Sequence, residues 1–133
     1  MILQTNPALP EVIRKYGCGL MAIIWHSARL GGMTVSGVSD VLEVYNEAVS
    51  HGAMDANCFI RNWDGVFSAA GLGTRYTGRH EPAERKCGEN EIEILRFPGH
   101  FVAGNGNGIV TYDPWGVSRA VSQPMKSKRI FRI

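Results

Sequence analysis

Three residues carry the chemistry that this sequence can do: Cys18, His100 and Asp113. Cys18 sits between Gly17 and Gly19, where a Pro-bearing lead-in gives way to the apolar run Leu20-Met21-Ala22-Ile23-Ile24-Trp25. The thiolate is the nucleophilic form of cysteine, and free N–H groups at a helix N-terminus favour it. Flanking glycines leave the sulfur open and let backbone N–H groups face a substrate. The plainer reading of Cys18 is a small buried hydrophobe, since cysteine is among the most buried residue types.

His100 and Asp113 decide between these readings. The stretch from Gly99 to Gly116 holds two apolar runs flanking Gly104-Asn105-Gly106-Asn107-Gly108, a strong hairpin signal. A two-residue loop at Gly106-Asn107 sets His100 opposite Asp113. A loop at Asn105-Gly106 sets His100 opposite Thr111, with Asp113 a diagonal neighbour on the same face. Directly opposed residues hold their Cβ atoms about 4.5–5.5 Å apart. Either register brings the imidazole and carboxylate together. A carboxylate beside an imidazole holds its tautomer and stabilises the imidazolium, and such a pair activates a nearby thiol.

The elements that must position these groups follow from periodicity. Pro7 and Pro10 disfavour helix before them, leaving at most a short turn through Glu11–Arg14. A helix over about 18–30 is apolar almost all round and is therefore central and buried. Gly31-Gly32 ends it. An amphipathic helix spans about 36–50, with Thr34 or Ser36 as cap, and a short one spans about 63–70 from an Asn62 cap. A short strand is expected at Thr74–Thr77, then a polar loop over 78–90, then strands at about 91–97, 100–104, 108–113 and 128–133. Helices first and an antiparallel sheet second read as an α+β fold with the helices on one side of the sheet. The 133 residues read as one domain, with a helical half at about 10–71 and a sheet half at about 74–133.

Composition narrows the function classes. The formal net charge of +2 points to neither nucleic acid nor a membrane surface. No apolar stretch approaches the roughly 20 residues of a membrane helix, and no signal peptide is visible, so a cytoplasmic setting is expected. The three cysteines, Cys18, Cys58 and Cys87, form no C-x-x-C pair and no disulfide framework.

Cys18-Gly19 opening a buried helix, His100-Phe101-Val102 opening a strand and Asp113-Pro114 closing the next resembles the papain-like cysteine peptidases, closest to their small bacteriocin-processing-type branch. The chain also looks like a family of uncharacterised bacterial proteins with Tyr-Gly-Cys near the N-terminus and Gly-His-Phe-Val later. The resemblance spans about 16–116. It implies a papain-like fold and a Cys18–His100–Asp113 triad. It also implies a glutamine about six residues before the cysteine, whose side-chain N–H completes the oxyanion hole with the cysteine's own N–H. That position is Val12 here. Gln4 is the stand-in, because the extended lead-in can fold back beside the helix. Losing one such donor costs about 10²–10³ in rate. Trp115 is placed to shield the His100–Asp113 pair from water.

Other candidates read as structural. His26 lies about 12 Å along the helix from Cys18, too far to be its base. Cys58 reads as a buried thiol and Cys87 as a loop thiol, and their spacing supports no zinc site. His51 and His80 read as surface residues. The Gly104–Gly108 run joins two strands and is a turn, not a dinucleotide site. The basic C-terminal stretch (Arg119, Lys126, Lys128, Arg129, Arg132) reads as a solvated sheet face. The expected function is a cysteine peptidase or related amide-bond thiol hydrolase acting on a peptide or protein, with no cofactor and no metal. The alternatives are an inactive papain-fold binding or regulatory module and a cell-wall amidase-like thiol hydrolase.

Overall fold

A computed structural model describes residues 1–133. Four helices precede and cover a five-stranded sheet. They are α1 (Glu11–Tyr16), α2 (Cys18–Arg29), α3 (Val38–Ser50) and α4 (Trp63–Ala69). The strands are β1 (Arg75–His80), β2 (Glu91–Phe97), β3 (His100–Gly104), β4 (Val110–Tyr112) and β5 (Ser127–Arg132). All neighbours pair antiparallel in the order β1-β5-β2-β3-β4, so the last strand inserts between β1 and β2. The α+β class and the segregation of helices before strands follow the periodicity closely. The polar stretch at 78–90 is partly strand, because β1 runs on to His80 against Lys128.

The apolar run Leu20–Trp25, which covers almost the whole circumference of α2, explains its place at the centre. Leu20, Met21, Ala22, Ile23 and Ile24 are all fully buried. Ile94, Ala103 and Phe131 rise from the sheet into the same core, joined by Val41, Val44, Val66 and Phe67 of α3 and α4. Asn62 caps α4, its side chain accepting from the Gly65 N–H at 3.0 Å. α3 is capped differently from expectation. Gly37 occupies the N-cap, and the Asp40 carboxylate reaches back to the Ser36 and Gly37 N–H groups at 2.7 and 3.0 Å.

The opposite face of the sheet is also covered. Leu95, Phe97 and Val102 form a second small cluster under Ala120, Val121 and Met125. Of the basic C-terminal stretch read as a solvated face, Arg119, Lys126 and Arg132 are exposed, but Lys128 and Arg129 are not. Lys128 is only 2% exposed and Arg129 is half-buried, because β5 is an interior strand rather than an edge.

Candidate active site

Cys18 is the first residue of α2, and α1 stops only two residues before it. The two helices meet at Gly17, whose N–H donates to the Ile13 carbonyl at 2.8 Å. A Cβ at Gly17 would stand 2.6 Å from that same oxygen, so glycine is what allows this close approach. The lead-in folds back here as well. Gln4 is fully buried, and its backbone N–H donates to the Pro114 carbonyl at 2.8 Å. Its side-chain Nε2 donates to the Ile13 and Arg14 carbonyls at 3.0 and 3.1 Å. Both amide hydrogens are therefore spent on the end of α1, which differs from the expectation that Gln4 offers one to an oxyanion. Exchanging the amide's O and N would set an oxygen against two carbonyls, so the orientation is fixed by its surroundings. Gln4 ties the lead-in to both α1 and the segment after Asp113.

His100 begins β3, and Asp113 follows the end of β4. His100 Nε2 lies 2.6 Å from Asp113 Oδ1, with the two residues 1% and 7% exposed. The hairpin that joins them is looser than the two-residue turn expected. Ala103 pairs with Tyr112, Gly104 with Val110, and the register shifts between them. The loop closes through the Asn105 N–H donating to the Ile109 carbonyl at 2.9 Å. The cause is Glu93 of β2. Its fully buried carboxylate accepts from the Gly106 and Gly108 N–H groups at 2.9 and 2.8 Å and draws the loop around itself. Gly106 and Gly108 meet it with φ of 95° and 79°, values that favour glycine. Past the shift, Ala103 and Tyr112 resume the parity that keeps His100 and Asp113 on one face.

The Asp113 carboxylate is held by more than the histidine. Oδ1 accepts from the Trp115 N–H at 2.9 Å, and Oδ2 accepts from the Ser118 hydroxyl at 2.7 Å and the Ser118 N–H at 3.2 Å. Burial pushes the carboxyl up, but Ser118, His100 and the Trp115 N–H outweigh it and hold Asp113 below the ordinary aspartate value. Trp115 stacks on the His100 ring at 3.8 Å and 19°, which excludes water from the pair as anticipated. His100 Nδ1 is buried and has no hydrogen-bond partner.

The sulfur of Cys18 accepts a hydrogen bond from the Phe101 N–H at 3.4 Å, so the thiol abuts the residue that follows His100. Burial pushes the Cys18 thiol above its ordinary value. The N–H groups of Phe101, Gly19 and Cys18 itself oppose that rise, and the negative charge of Asp113 adds to it. The helix start thus supplies the donors expected of it, yet desolvation wins. A thiolate here needs a partner to take its proton.

A cleft of about 320 Å³ opens on Cys18. Gly99 and Phe101, the neighbours of His100 along the chain, line one side, and Cys58, Phe59 and Ile60 the other. Cys58 adopts a φ of 65° in a tight loop built on Asp55, whose Oδ1 accepts from the Asn57 and Phe59 N–H groups at 2.9 and 3.1 Å. Burial, then Asp55 and Cys18, push the Cys58 thiol up to about 12. Cys87 packs on Glu93 Oε1 at 3.8 Å, and burial followed by Glu93 raises it to about 12. A larger cleft of about 420 Å³ lies at the far end of α2, lined by Trp25, Arg29 and Glu91. His26 is buried beside it and contacts the Glu93 carbonyl at 2.7 Å from Nε2, a tie between α2 and β2. No group of three or more His, Cys, Asp or Glu side chains is arranged to hold a metal ion.

Sequence reasoning missed Ser118 and Arg129. Ser118 lies five residues after Asp113 in an irregular segment, where no periodicity predicts contact. Arg129 lines the Cys18 cleft from β5, and only the strand order shows that this residue faces inward. No helix of the protein is long and apolar enough to cross a membrane. No curated protein matches the chain, and no solved structure does. Over its whole described length, residues 1–133, the chain belongs to the family described as Protein of unknown function, DUF261.

Proposed function

We propose that the protein is a thiol hydrolase of the cysteine-peptidase type, papain-like in its arrangement, with Cys18, His100 and Asp113 as nucleophile, base and orienting carboxylate. The observation that carries this reading is the ring of His100. Asp113 holds Nε2 at 2.6 Å, and the buried Nδ1 is left without a partner while the next N–H along β3 contacts the Cys18 sulfur. An imidazole fixed at one nitrogen and free at the other is poised as a general base.

In the proposed reaction Cys18 Sγ attacks the carbonyl carbon of an amide as its proton passes to His100 Nδ1. The imidazolium, stabilised by Asp113, returns that proton to the departing amine, and the C–N bond breaks to leave a thioester on Cys18. Water, deprotonated by His100, then releases the acid and restores the thiol. The backbone N–H of Cys18 is the donor best placed for the oxyanion. The raised thiol fits proton transfer during attack rather than a resting thiolate.

Incubation with a peptide library derived from a bacterial proteome tests the reading. New peptide termini should form with the native protein and be absent with Cys18→Ala and His100→Ala. Identical termini from native and Cys18→Ala protein would sink it. A second reading, a binding module that keeps the trio for stability, draws on the Gln4 amide being spent within the fold and on the 1% exposure of His100. That reading expects no new termini and an unfolding midpoint lowered by His100→Ala.

A further inference from the structure

We propose that the cleft beside Cys18 binds an acidic peptide, and that Arg129 receives a carboxylate side chain near the scissile amide. This deepens the reading of Cys18 as a nucleophile and rests on it.

Arg129 lines the same cleft as Cys18. Its guanidinium lies 5.0 Å from the Trp63 ring and 5.1 Å from the Phe101 ring, so two aromatic faces fix its position. Its Nε and Nη1 are buried and make no hydrogen bond. An unpaired buried donor is costly, and a charged one more so. The charge is uncompensated too. Arg79 stands directly opposite on β1, and Arg96 of β2 lies two residues along on the same face. None of the three arginines is in an ion pair with a carboxylate. Burial, with Arg96 and Arg79, lowers the affinity of Arg129 for its own proton, and only Tyr76 supports the charge. The other cation on the cleft, Lys15, is already paired with Glu11 at 2.7 Å. No aspartate or glutamate lines the cleft.

A guanidinium wedged between two aromatic rings with no carboxylate partner attracts an anionic group entering the cleft, and its planar, delocalised charge is one that a lysine does not reproduce. Phe101 gives the arrangement its connection to the chemistry. Its ring holds Arg129 while its backbone N–H contacts the Cys18 sulfur. A peptide laid along the cleft with its amide at Cys18 therefore meets a fixed, unpaired cation.

Alkylation with iodoacetate and iodoacetamide, followed at Cys18 by mass spectrometry, tests this. The ratio of the iodoacetate rate to the iodoacetamide rate should fall roughly tenfold in Arg129→Met, the scale of one charge-assisted hydrogen bond. Arg129→Lys should restore part of the ratio. An unchanged ratio in Arg129→Met overturns the proposal.

If Arg129→Met does not fold, the Arg129 Nε–H resonance of the native protein decides. It should shift saturably with N-acetylglutamate α-amide and not with the glutamine analogue, and an equal or absent response overturns the proposal. The same titration on Cys18→Ala separates the two readings. A retained response there, with no hydrolysis by the native protein, keeps the anion subsite and removes the hydrolase.

Discussion

At the scale of the residue, the site depends on how Asp113 is held. Four donors converge on its carboxylate, and Ser118 supplies two of them. Ser118→Ala removes the shortest contact to Oδ2, so Asp113 is held less firmly and its carboxyl should rise toward the ordinary value. We expect a loss of about 1.5–3 kcal/mol in urea unfolding, typical of a hydrogen bond to a charged group, and slower alkylation of Cys18. The three thiols should separate in the same assay. At pH 8 iodoacetamide should modify Cys18 before Cys58 and Cys87, which are pushed up to about 12. Cys18 modification should slow on His100→Ala, and equal labelling of all three would remove the case for an activated Cys18.

At the scale of the element, two junctions set the geometry. α1 and α2 meet at Gly17 with no room for a side chain, so the N-terminus of α2 is fixed relative to α1. Gly17→Ala drives a methyl into the Ile13 carbonyl and should cost about 1–3 kcal/mol, the usual range for overpacking. A midpoint within a few tenths of a molar of the native value in urea would show that the helices can part freely. The second junction is the β3–β4 hairpin around Glu93. Glu93→Ala leaves the half-buried Gly106 and Gly108 N–H groups without their acceptor. That should cost about 3 kcal/mol or more, given 1–3 for each orphaned group. Hydrogen exchange at those two amides should accelerate well before the core amides do. Native-like protection there would mean that the loop holds its shape without the carboxylate.

At the scale of the whole molecule, α2 is bound to the sheet by its apolar surface and by His26, whose Nε2 donates to the Glu93 carbonyl at 2.7 Å. Burial, partly offset by that hydrogen bond, lowers His26 from 6.5 to about 4. The unfolded chain therefore binds a proton at His26 between pH 6.5 and 4 that the folded chain does not. Stability from this group is complete above pH 6.5 and is lost as pH falls toward 4. The drop amounts to about 3 kcal/mol. His26→Gln removes this titration. Its unfolding free energy should change less than that of the native protein between pH 7 and 4.5, and equal pH slopes would exclude His26 as the cause.

The sequence by itself determined what local forces determine. The apolar surface of α2 required burial, Asn62 and Gly71 bracketed α4, and Glu91–Phe97 formed the strand that its alternation required. Cys18, His100 and Asp113 were legible because each lies at an element boundary marked by glycine or proline. Tertiary structure decided what depends on distant partners. Glu93 reshapes the Gly104–Gly108 loop from a neighbouring strand, and no turn rule contains a carboxylate 13 and 15 residues from the amides it binds. Gln4 meets the carbonyls of α1 instead of a substrate because the lead-in folds against that helix end. Ser118 reaches Asp113 from an irregular segment. Arg129 turns from an apparent surface charge into a wall of the cleft because β5 inserts between β1 and β2, and strand order is a property of the whole chain. The pKa of Cys18 belongs with these: the helix start supplies its donors locally, but the depth of burial that outweighs them comes from everything packed around it.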